Sequence, residues 1–69
     1  MKLSPIDLFQ AIERMNRGTI TNVRQIESNQ LMITSSHGTF VLEAANTNGM
    51  MHFNSYEACD LPQTWRVNP

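Results

Sequence analysis

Gln30-Leu31-Met32-Ile33-Thr34-Ser35, then Ser36-His37-Gly38, then Thr39-Phe40-Val41-Leu42-Glu43-Ala44-Ala45 is the stretch that decides the fold. Leu31 and Ile33 alternate with Met32 and Thr34, and Phe40 and Leu42 fall on one face of the second run. Period-two runs joined by a short turn with a glycine form an antiparallel hairpin. The pattern predicts strands at 30–35 and 39–45, with Gly38 supplying a positive φ.

Downstream, Asn46-Thr47-Asn48-Gly49 is the strongest turn in the chain, because Asn and Gly both tolerate left-handed backbone. A strand at 50–54 follows, with Met51 and Phe53 on one face and Met50 and His52 on the other. Ser55 to Asp60 reads as a single helical turn capped by Ser55. Pro62 punctuates, and 64–67 reads as a last edge strand carrying Trp65. Upstream, Ser28-Asn29 forms a turn. The segment 19–27 reads as a strand whose apolar residues Ile20, Val23 and Ile26 are three apart, which a bulge near Asn22-Val23 reconciles with a pleat.

The N-terminus reads as a helix at 5–17. Ser4 is an N-cap type, Pro5 suits the first helical position, and Asp7 stands at the capping-box spacing. Pro5, Leu8, Phe9, Ile12 and Met15 form an apolar stripe. Glu13 and Arg17 are four apart in the favourable order, and Gly18 stops the helix with a positive φ. The fold class that results is α+β: an N-terminal helix packed on a 3–5-stranded antiparallel meander, in one small domain over 1–69. The same rhythm also describes a small closed barrel of the Sm or SH3-like type with a leading helix.

Composition narrows the function. Among 69 residues there is one cysteine, so no disulfide forms within the chain. Cys59, His37 and His52 are too few for a closed zinc site of four thiolate or imidazole ligands, and the sequence calls for no cofactor. A chain this short buries a thin core, so a partner subunit is the staple that remains, and a homo-oligomer is expected. A single thiol, with neither a signal peptide nor a run of about 20 apolar residues, points to a cytoplasmic protein that does not enter the membrane. Five Lys+Arg against six Asp+Glu give a net charge of -1, which disfavours nucleic acid as a partner.

No catalytic constellation stands out. Cys59 with His52 is the only pairing that suggests a nucleophile and base, and Asp60 beside Cys59 would raise the thiol's pKa. The plainer expectation for Cys59 is a small buried thiol at the core's rim, and the chain is read as a non-enzyme. Arg14, Arg17 and Arg24 read as a solvated face neutralised by Glu13 and Glu27. His37 belongs to a solvated turn. Met15 and Met51 are expected in the core.

One helix covers one face of such a sheet and leaves the other open. Met32, Val41, Met50 and His52 are placed on that open face, and with Tyr56, Trp65 and Arg66 they are the expected partner-binding residues. The expected function is a small accessory or regulatory module, an adaptor or inhibitor that docks on a larger protein and self-associates. The alternative is single-stranded nucleic-acid binding through aromatics and arginines.

Overall fold

The computed structural model describes residues 2–59. It is a small α+β fold with one helix and a five-stranded antiparallel sheet. In chain order the elements are β1 (Leu3–Pro5), α1 (Leu8–Arg17), β2 (Ile20–Glu27), β3 (Gln30–Ser35), β4 (Gly38–Thr47) and β5 (Met50–Ala58). The sheet order is β1-β5-β4-β3-β2, so consecutive strands pair from β2 to β5 and β1 adds beside β5. Among the described residues the sheet is open, with β1 and β2 at its edges.

The N-terminus differs from the helix expected at 5–17. Leu3, Ser4 and Pro5 pair with Ala58, Glu57 and Tyr56 of β5. The N-cap is Asp7, whose carboxylate accepts from the backbone N–H of Phe9 (3.1 Å) and Gln10 (3.3 Å). Two cap-type residues compete here, and the anionic one wins at the positive helix end. Residues 3–5 gain a ladder in exchange, and Pro5 is tolerated because β1 is an edge strand. The corner is locked by Ile6 N–H donating to Ser55 O (3.1 Å) and Ser55 Oγ donating to Ile6 O (2.6 Å).

That lock also explains why Ser55 caps no helical turn. The strand expected at 50–54 runs on to Ala58 because β1 and β4 both pair with its second half. The strand expected at 39–45 runs from Gly38 to Thr47. In β2 the register shifts twice, between Ile20 and Asn22 and between Gln25 and Glu27, on either side of the site expected to bulge. The Asn48-Gly49 turn has both residues at positive φ, 53° and 80°. Gly18 differs from expectation, since its φ is -114°. A Cβ there would lie 2.6 Å from the side-chain atoms His37 Nδ1 and Ser36 Oγ of the β3–β4 turn, which would have to move aside for any larger residue. The strand expected at 64–67 lies outside the described residues.

Ladder pairing assigns the faces. Val23, Ile33, Phe40 and Glu57 form one row across β2, β3, β4 and β5. Helix α1 lies over the Ile33, Phe40 and Glu57 part of this row, and the core comprises Ala11, Met15 and Phe40, with Ile6 and Ile33 packed against them. The expected stripe is therefore only partly right: Met15 is buried, while Phe9 is 81% exposed and Ile12 is exposed. At 3.6 residues per turn Phe9 points about 120° away from Met15. Small Ala11 makes the contact instead and lets the helix settle close over the Phe40 ring. Burying that ring contributes about 1.5–3 kcal/mol, a large share of what so small a core supplies.

Candidate functional site

The face away from the helix carries Met32, Val41, Met50, His52 and Tyr56 together, because Met32 pairs with Val41, Val41 with Tyr56, and Ala45 with His52. The register brings these residues to one face, but burial removes part of the expected surface. Val41 is fully buried at the centre of β4, and Met32 and Tyr56 are half-buried. Of these five residues, only Met50 and His52 are exposed. Trp65 and Arg66 lie outside the described residues.

The same face is also more polar than expected. Glu43 accepts from Gln30 Nε2 (2.9 Å), Asn54 Nδ2 (3.2 Å) and the Tyr56 hydroxyl (3.4 Å). The hydrogen bond from Gln30, then that from Asn54, holds the Glu43 carboxyl below its ordinary pKa; Tyr56 and the nearby charge of His52 act in the same direction against a desolvation that raises it. Gln30, Glu43 and Asn54 are cross-strand neighbours, so the ladder itself builds the cluster. Sequence reading missed it, although three polar residues on alternate positions of three strands were the available signal.

The exposed apolar surface lies on the helix side. Helix α1 covers only the end of the sheet near the β3–β4 turn. Beyond it the same face continues through Leu31, Leu42 and Ala44 to Phe53 and Met51, by way of the pairs Leu31–Leu42, Ala44–Phe53 and Asn46–Met51. Phe53 is 66% exposed and Met51 is 65% exposed, which corrects the expectation that Met51 fills the core. Ala44 opposite Phe53 is too small to shelter its ring.

The helix flank joins this surface at two places. Leu8 and Phe53 line one groove with Pro5, Ile6 and Ser55. Ile12, Met15, Ile20 and Ile33 line another between α1 and the first two strands of the meander. The open half of the helix-side face presents Val23, Gln25, Leu31, Leu42, Ala44, Asn46, Met51 and Phe53, and none of these is charged. Arg24 and Glu43 alternate to the other face.

Other sequence candidates separate in space. His52 and Cys59 are seven residues apart along and just beyond an extended strand, about 23 Å at 3.3 Å per residue. Cys59 is exposed rather than buried, because β5 has ended, and its thiol lies 3.4 Å from Glu57 O. Among the described residues no group of three His, Cys, Asp or Glu side chains is placed to hold a metal ion. Arg14 and Arg17 are each paired with a glutamate, Glu57 and Glu13 respectively. No described helix is long and apolar enough to cross a membrane.

Compared with known protein families, with curated proteins and with solved structures, the chain matches none.

Proposed function

We propose that this chain is a small non-enzymatic protein-binding module, an accessory or regulatory subunit in the cytoplasm that docks through the open half of its helix-side sheet face. One observation carries the reading: a continuous, uncharged apolar surface from Leu31 to Phe53 and Met51 on a domain whose core is already thin. Leaving it in water forgoes about 25 cal/mol for every Å² that a partner would cover. The docking side assigned here replaces the face of Met32, Val41 and Met50.

The test compares wild type with Phe53→Glu and Met50→Lys as tagged baits at moderate salt. Both side chains are exposed, so neither substitution places a charge in the core. Loss of a stoichiometric protein partner with Phe53→Glu alone supports the reading. A partner kept by Phe53→Glu and lost with Met50→Lys returns docking to the opposite face. A partner kept by both ends the proposal.

A further inference from the structure

We infer that the open helix-side face is covered by a second copy of this chain, in a two-fold dimer where each helix lies on the other subunit's open sheet. The inference rests on the docking reading above and names its occupant. The helix carries one apolar ridge more than its own sheet uses: Leu8, Phe9 and Ile12 are exposed although Ala11 and Met15 fill the core. The sheet, in turn, has an apolar half longer than its own helix covers. Each subunit therefore offers what the other lacks, and an isologous contact satisfies both at once.

The area fits. Eight apolar side chains on this side, from Leu8 to Phe53, are 37% to 81% exposed. Phe9 and Phe53, as aromatics, can bury about 150–250 Å² each, and with the six exposed aliphatic and thioether side chains beside them the patch is of the order of the roughly 800 Å² that one partner contributes to a standard interface. Charge is compatible. The sheet half carries no charge of its own, its flanking ions Arg24 and Glu43 lie on the far face, and on the helix ridge that would meet it Glu13 is neutralised by Arg17 at 3.2 Å.

The sheet edges are poor routes to the same end. Edge strand β2 is interrupted by two register shifts, and β1 is three residues long and ends in proline. Bulges, short strands and proline all discourage edge-to-edge pairing. That leaves face-to-face docking as the way to enlarge the core.

The experiment is sedimentation of the full chain from about 1 µM to about 200 µM, the range that resolves micromolar association. Wild type is expected to be a dimer. Phe9→Glu and Phe53→Glu should each weaken it on the order of 1,000-fold, because one buried aromatic is lost in both symmetric contacts. Met50→Lys, on the far face, should leave it unchanged. A mixture of the Phe9→Glu and Phe53→Glu chains should recover association, since one helix-to-sheet contact is then intact. Should either variant lose its circular-dichroism signal, the wild-type melting temperature becomes the readout and must rise with concentration.

A wild type monomeric throughout, or melting independently of concentration, overturns the dimer. A dimer lost with Phe53→Glu but kept with Phe9→Glu is a sheet-to-sheet contact and overturns the helix exchange. A monomer whose protein partner still depends on Phe53 gives the face to a different protein and leaves the docking reading standing. A partner indifferent to Phe53 removes that reading as well.

Discussion

Arg14 Nη2 lies 2.9 Å from Glu57 Oε2, and this pair fastens the only described helix to the strand that organises the N-terminus. The same nitrogen donates to His37 O (2.9 Å), and the guanidinium stands 5.1 Å over the Phe40 ring. One side chain thereby ties α1 to β5, to the β3–β4 turn and to the core. Both partners are about a third exposed, so screening trims the ion pair and the stacking carries more of the effect. Arg14→Ala should cost about 1–2 kcal/mol of stability, read by urea denaturation. Arg14→Lys should recover less than half of that, since an ammonium cannot stack and bridge together. Full recovery by lysine would reduce the contact to charge alone.

How much of this was legible follows from where the decisive interactions are encoded. The hairpins were legible because turn chemistry and period-two alternation are local: Asn48-Gly49 and Gly38 mark their turns, and Leu31, Ile33, Phe40 and Leu42 mark one face. The N-terminus was not, because Ser4 and Asp7 are both good caps and the choice depends on a ladder with residues more than fifty positions away. The exposed apolar residues on the helix side were not legible for a related reason. Alternation says which residues share a face, and it assigned Met51 with Phe53 and Met50 with His52 correctly. It does not say how much of a face a ten-residue helix covers. The helix spans only the Phe40 end, so Met51 and Phe53 on the same face are left exposed.

Two glycines with positive φ should respond differently to alanine. At Gly49 (φ 80°) an added Cβ would meet no atom within 4 Å, so Gly49→Ala faces backbone strain alone, about 1 kcal/mol. Gly38 (φ 140°) would place its Cβ 3.1 Å from Arg14 Nη2 and from Phe40 Cζ. Gly38→Ala adds crowding of the core ring and of the Arg14 bridge, and should cost about 2–4 kcal/mol. Thermal melts of the two variants side by side check the order. Equal costs would mean that the Phe40 end relaxes freely.

Thr34 Oγ1 is buried with no hydrogen-bond partner among the described residues. A buried hydroxyl left unpaired is destabilising by about 1–3 kcal/mol relative to an apolar group of the same shape. Thr34→Val removes the hydroxyl and keeps the branched shape that suits β3. The variant should gain about 1 kcal/mol, a rise in melting temperature of about 4–8 °C for a domain of this size. A loss of stability would show that the hydroxyl is hydrogen-bonded in solution.

We expect Glu43 to contribute to the acid limb of stability. Its carboxylate is held below the ordinary glutamate pKa first by Gln30, then by Asn54, with Tyr56 and His52 assisting. A carboxyl with a lower pKa in the folded chain than in the unfolded one binds fewer protons when folded. Its contribution is fully present above the unfolded value and is lost as pH falls through the depressed folded value. Chemical denaturation from pH 7 downward should therefore show stability level at first, then falling below the ordinary glutamate range. Glu43→Gln removes the ionisable group and should flatten that fall while lowering the plateau, because a neutral amide accepts more weakly from three donors. An acid limb unchanged by Glu43→Gln would overturn this assignment.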